Sequence, residues 1–335
     1  MEAEIAEQPA TLEALLRRRT ELQPAITQCF QAPLAGTVIV ARGSSDHAAT
    51  CGRYLLEVAT HRPVASASPS VHLLYRAVVD FSGYVVIAVS QSGRTPEIAS
   101  FLQRARASGA RTIAITSDAD SPLAEVADTV ISLGTGEEKA VPATKTVTAE
   151  IAAFAMIAQT VGDVGITDRD WMALPDEVAE VVANREPCRA LASWVLAADR
   201  RFATVARGYL YGAAAESALK VEETTSILAT AFSAADLRHG PIAIAPTGIP
   251  ILAFSHPGPT AEDVQDVVVD LRRRGASVRL VGPVAGSSAD WSAEAPEALA
   301  PVLGVVRGQQ LALELARQLG RDPDSPEGLT KVTIT

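Results

Sequence analysis

The chain has 335 residues, enough for two domains of ordinary size, and 48% of them are apolar, so each domain can hold a core. A net charge of −10 argues against a nucleic-acid groove or an anionic membrane surface as partner. Cys29, Cys51 and Cys188 are scattered, with no CxxC or Cys/His cluster, so neither a disulfide framework nor a zinc site is expected.

The start, MEAEIAEQPA, is acidic and lacks the basic and apolar regions of a secretory leader. No apolar run approaches a membrane span, and a cytoplasmic location is expected. A short apolar strand at 36–41 runs into the turn Arg42-Gly43-Ser44-Ser45, and a helix is expected over 46–59. The next strand, Tyr84 onward, is rich in valine and isoleucine and stops at Ser90-Gln91-Ser92-Gly93-Arg94-Thr95, after which Pro96-Glu97 opens a helix. A strand end feeding a helix N-terminus points backbone N–H groups outward and favours an anion. Ser90, Ser92 and Thr95 add hydroxyls, Gln91 an amide, and Gly93 lets the backbone approach closely, so phosphate is the natural guest. No Walker lysine and no GxGxxG is present, so nucleotide loops match poorly. By itself the segment also fits an ordinary polar βα turn.

Further strands at 112–116 and 129–133 run into Ser117-Asp118 and Gly134-Thr135-Gly136. Strands alternating with helices at this spacing predict an α/β fold with a parallel sheet covered on both faces. Residues 162–187 read as a connector carrying some helix, and a second domain begins near Ala190. Its strands at 202–206, 249–254 and 277–281 echo the turns after 41, 89 and 116, which suggests a duplication with a period of roughly 165 residues. The second copy lacks the serine-rich turn, so one phosphate-binding site per chain is expected, in the turns of the first copy and completed by helices from the second.

Within 213–227, Glu216, Lys220 and Glu223 stand at i, i+4 and i+7 and share one helical face. Taken alone, this is a solvated Glu–Lys pair, and Glu222 beside it is expected to be a surface charge. His239, before Gly240-Pro241, taken alone is a turn residue. Terminal lysines are ordinarily exposed and frayed. Lys331, however, lies in 329–335, which alternates apolar with polar as a half-buried strand does, and the tail is expected to dock.

Five segments, ARGSSDHAA, AVSQSGRTPE, EEKAVPATKTVTAE, ESALKVEETT with ATAFSAADLRHGP, and LTKVTIT, together resemble the sugar isomerase (SIS) family. The resemblance is closest to the isomerase half of glutamine–fructose-6-phosphate aminotransferases and to a class of glucosamine-6-phosphate deaminases. It implies two tandem SIS domains, at 22–161 and 190–320, each a parallel sheet flanked by helices, with a docked tail at 321–335. It places Glu223 as the base that moves a proton between C1 and C2 of an open-chain sugar, a task suited to a carboxylate whose pKa burial has raised. Ser45, Ser90, Gln91, Ser92 and Thr95 fall among the substrate-binding positions, as do Val141, Ala143, Glu216 and Lys220. His239 matches a ring-opening histidine that reaches a neighbouring subunit's site, which implies a homodimer with shared sites. Lys331 matches a lysine that closes over the sugar and can form a Schiff base with its carbonyl. His47, His61, His72 and His256 have no such counterpart and are expected to be structural or exposed. No metal and no nucleotide cofactor is implied.

Three departures set the expected reaction. No glutaminase domain precedes the first sheet and residue 2 is Glu2, so the chain is not expected to release ammonia from glutamine. Arg94 stands where the aminotransferases carry an acid, and Ala143 where they carry a sugar-binding serine; both look more like the deaminases. The expected activity is therefore conversion of glucosamine 6-phosphate and water to fructose 6-phosphate and ammonia. No residue stands out as activator of the hydrolytic water. A fructosamine-6-phosphate deglycase and a simple aldose–ketose isomerase would keep the same site. A non-catalytic sugar-phosphate sensor is disfavoured, because the short acidic N-terminus leaves no room for a DNA-binding module.

Overall fold

The computed structural model describes residues 1–198 and 201–331, which divide into two compact units. The first unit comprises Ala10–Glu138, Lys145–Ile166 and residues 330–331. Its strands are β1 (Gly36–Val40), β2 (Val64–Ser66), β3 (Tyr84–Val89), β4 (Arg111–Thr116) and β5 (Thr129–Ser132), hydrogen-bonded in the order β2-β1-β3-β4-β5. Every neighbouring pair is parallel, with Val38 opposite Val86 and Val86 opposite Thr112 in register. The valine- and isoleucine-rich β3 is central because residues 85–89 must be buried on both faces. Phe101, Leu102 and Ile98 of the helix Pro96–Ala107 pack with Val86 and Ala88 in this core. The helices Ser44–Thr60 and Lys145–Val161 also pack together, and the latter is apolar enough to be buried along most of its length.

The second unit comprises the described residues of Met1–Pro9, Lys139–Thr144 and Thr167–Leu329. Its strands are β6 (Arg201–Ala206), β7 (Leu228–Ser233), β8 (Pro250–Phe254), β9 (Ser277–Val281) and β10 (Ser287–Ala289). Their order, β7-β6-β8-β9-β10, repeats that of the first sheet strand for strand, again with every pair parallel. The strands that sequence patterning finds are those central in each sheet, together with β5. Those it misses, β2, β7 and β10, are edge strands; two have three residues, and β7 mixes exposed and buried positions without an apolar run. The helix Leu210–Thr225 packs along Ala300–Gln318. Gly308 permits the close approach, since a Cβ there would lie 2.0 Å from Ser217 Oγ.

The stretch read as a connector is mainly the helix Asp168–Ala183, started by a capping box between Thr167 and Asp170. The expected strand at 329–335 is not formed over its described part: residues 329–331 have no strand geometry and Leu329 is 44% exposed. Residues 332–335 of that expectation lie outside the described residues. Among the described residues, no helix is long and apolar enough to cross a membrane.

Candidate active site

In both sheets the strand order reverses between the first and third strands, and ligands of open α/β sheets lie beyond the strand C-termini at such a switch. In the first unit the two flanking turns are 41–45 after β1 and 90–95 after β3. Ser45 opens the helix Ser44–Thr60 and donates its hydroxyl to Glu150 Oε1 at 2.8 Å. Arg42, next to it, pairs with Glu97 at the start of the helix that follows β3, 3.0 Å away, so the two turns are tied together.

The turn after β3 is held by its backbone. Ser90 N–H donates to Ile115 O, Gly93 N–H to Ser90 O, Ser117 N–H to Gln91 O and Leu123 N–H to Gly93 O. Gly93 has a φ of 61° and a Cβ there would lie 2.0 Å from Ser121 Oγ, so both its backbone and its surroundings require glycine. Thr95 is the N-cap of Pro96–Ala107, yet its hydroxyl makes no capping bond. Ser90, Gln91, Ser92 and Thr95 thus share one turn at a helix N-terminus, the geometry that favours an anion. Arg94 points to Asp118 with an ion pair of 2.8 Å on the exposed side of the turn.

Sequence reading left Glu138 without a role. Its side chain has no exposed surface and accepts hydrogen bonds from Gln91 Nε2 at 2.7 Å, Lys331 Nζ at 2.8 Å and Thr146 N–H at 3.1 Å. Lys331 and Gln91, far apart in sequence, are therefore brought to one carboxylate. Among the described residues of the tail, Lys331 makes this contact without strand geometry around it. The sequence signal was only a pair of acids in the motif EEKAVPATK; that Glu137 is exposed and Glu138 buried depends on the path of the loop.

In the second unit, Glu216, Lys220 and Glu223 lie on one face of Leu210–Thr225. Glu216 and Lys220 have no exposed side-chain surface and stand 3.4 Å apart, while Lys220 also bonds Glu223. A solvated pair is thus replaced by a buried one. Burial would discharge the Lys220 ammonium, but the two carboxylates outweigh it and raise its pKa above the ordinary value. Glu223 is only partly buried, with 22% of its side chain exposed, and its carboxylate faces the Lys220 ammonium. Glu222 is not a plain surface charge, because its carboxylate accepts the Ala229 N–H at the start of β7.

His239 is exposed and ends the short helix Ala234–Arg238, with Gly240 at a φ of 129° turning the chain away. Val141 and Ala143 lie half-buried in the segment that Glu4 holds through Lys139 N–H, Ala140 N–H and Thr144 Oγ1. His72 is buried with its ring edge-on to Phe101, and His256 is buried with Nδ1 2.8 Å from Pro257 O; both are structural. The three cysteines are buried, and burial pushes the Cys188 thiol up to about 11, far from a nucleophile's range.

A family model, the SIS domain, matches residues 37–159 and 195–295. Glutamine–fructose-6-phosphate aminotransferase (isomerizing) of Thermococcus kodakarensis is 29% identical over 347 residues, which cover 99% of this chain and 57% of that protein. The chain therefore spans little more than half the length of this relative. Among solved structures, a protein of Silicibacter pomeroyi assigned as a phosphosugar isomerase superposes with a TM-score of 0.87 at 29% identity, over 97% of this chain and 99% of that one. The glucosamine-6-phosphate deaminase of Thermotoga maritima shares the fold, with a TM-score of 0.77 at 21% identity over 97% of this chain and 99% of that one.

Proposed function

Because the chain belongs to the SIS domain family of phosphosugar isomerases, we propose that it isomerises and deaminates an amino-sugar phosphate, taking glucosamine 6-phosphate and water to fructose 6-phosphate and ammonia. The observation that carries the proposal is the Glu223 carboxylate, held on one face of a helix by a buried lysine and still partly open to solvent. It has the chemistry of a general base in a fixed position.

In this reading the turn 90–95 holds the phosphate through hydroxyls and N–H groups, with Ser45 beside it. The exposed imidazole of His239 takes the anomeric hydroxyl's proton and returns one to the ring oxygen, which opens the ring. Its exposure suits a residue that serves the site of a second copy, so the working unit is a homodimer with shared sites. Glu223 then takes the proton from C2 and returns it to C1, leaving a 2-imine. Water adds to C2 of the imine, and expulsion of ammonia leaves the ketone. Lys331 meets the sugar carbonyl, as a cation or by forming a Schiff base. Glu216, Lys220, Val141 and Ala143 line the sugar. No step calls for a metal or a nucleotide. Arg94 and Ala143, at positions where the aminotransferase motif differs, favour the deaminase over the aminotransferase direction.

The test is turnover of a panel of hexose and amino-hexose 6-phosphates, with ammonia and keto-sugar measured together. Equal amounts of ammonia and fructose 6-phosphate from glucosamine 6-phosphate are expected. Interconversion of aldose and ketose phosphates without ammonia would instead make the protein a simple isomerase. Glucose 6-phosphate from a fructosamine 6-phosphate would make it a deglycase, and binding without turnover a sensor.

A further inference from the structure

The chain contains four lysines, Lys139, Lys145, Lys220 and Lys331, against a total of 29 lysines and arginines, so its surface cations are nearly all arginine. Lys145 and Lys220 are buried and Lys331 sits on a carboxylate that is itself fully buried. The residues before Lys331 are mostly exposed, from Arg321 through Thr330. A short exposed tail does not hold a side chain in register by its own packing. Something must, if the lysine is to meet a carbonyl.

Glu138 has the means. Its Oε1 accepts the Thr146 N–H in the first turn of Lys145–Val161, where the helix dipole favours an anion. Its Oε2 accepts both the Lys331 ammonium at 2.8 Å and the Gln91 amide at 2.7 Å. A buried carboxylate is costly without such partners, so the contact with the lysine is favoured by the acid's own burial. Gln91 belongs to the serine-rich turn. One oxygen atom therefore sets the lysine amine at a fixed place relative to the phosphate turn, through two hydrogen bonds.

We infer that Glu138 is a positioning residue: it docks the C-terminal tail by its lysine and registers that amine against the turn that holds the phosphate. This rests on the reading of Lys331 as the residue that meets the sugar carbonyl. In that reading the phosphate and the carbonyl carbon lie at opposite ends of the sugar. The reaction then depends on the spacing between turn and amine as well as on the presence of both. Arginine at 331 could pair with Glu138 but could not form a Schiff base, so Lys331→Arg separates docking from chemistry.

The experiment combines amine labelling with kinetics. The full-length protein and its Glu138→Gln, Glu138→Ala and Glu138→Asp variants are pulsed with an acylating reagent, and the label on each lysine is read by mass spectrometry. In the parent, Lys331 should label more slowly than the exposed Lys139. In Glu138→Gln and Glu138→Ala it should label as fast as Lys139, while Lys145 and Lys220 stay protected and so show that the fold is kept. The kcat for glucosamine 6-phosphate should fall by about 10²-fold with a smaller change in KM, as misplacement of a reacting group predicts. Glu138→Asp, which keeps the charge, should recover part of both effects. Unchanged labelling of Lys331 in the Gln and Ala variants overturns the inference, as does faster labelling with kcat at the parent value. A Lys331→Ala variant as active as the parent removes the reading of Lys331 itself, a result separate from either of these.

Discussion

Lys220 is a cation with no exposed side-chain surface, and it stays charged because Glu216 and Glu223 lie against it. Removing one member of a buried ionic group leaves the others uncompensated. Lys220→Met should therefore lower stability by about 3–5 kcal/mol, measured by urea unfolding, although methionine fills a similar volume. A change within 0.5 kcal/mol, the range of ordinary surface substitutions, would mean that the triad is solvated. Spacing alone revealed that these three side chains share a face, because i, i+4 and i+7 follow from helical geometry. Their burial was not legible, since it depends on how Leu210–Thr225 packs in the folded unit, and its helical neighbour Ala300–Gln318 lies far along the chain. Glu138 was hidden for a related reason: only the folded loop separates it from Glu137, and its partner Lys331 is near the far end of the chain.

At the scale of the element, the turn after β3 combines hydroxyl side chains, a helix N-terminus and a glycine that nothing larger can replace. A phosphate bound there is present in ground and transition states alike, so its contacts contribute uniform binding. Replacing Ser90, Ser92 and Thr95 together by alanine should raise KM much more than it lowers kcat. Calorimetry should show weakened binding of fructose 6-phosphate. Parent-like affinity in the triple variant would move the phosphate elsewhere. This turn was readable in the sequence because an abrupt change from β-branched residues to small polar ones marks a strand end. The tail was harder to read: alternation over a few residues matches a strand, but residues 329–331 have no strand geometry, and Lys331 is fixed there by a side-chain contact with Glu138. The edge strands β2 and β10 escaped notice because three residues carry too little pattern.

On the scale of the whole molecule, one strand order appears twice, and the two copies have diverged where chemistry is expected. The first copy keeps a serine-rich turn after its third strand; at the same place after β8 the second has Ser255-His256-Pro257-Gly258. The second copy instead supplies the helix with Glu216, Lys220 and Glu223, and the exposed His239. Duplication was legible because strands and turns recur in the same sequence, and a parallel sheet leaves few other topologies. The division of the chain into units was less so: residues 1–9 and 139–144 belong with the second sheet, and they are joined by Glu4, a buried acid whose backbone partners no sequence pattern announces. The account as a whole turns on proton transfer by Glu223. Glucosamine 6-phosphate carrying deuterium at C2, followed by NMR with the parent and with Glu223→Gln, tests it most directly. The account predicts that the parent removes the label from C2 as it turns over, and that the variant does so about 10²–10⁴-fold more slowly while binding fructose 6-phosphate with nearly parental affinity. A variant that clears the label at the parent rate, or a parent that leaves it in place, would contradict it.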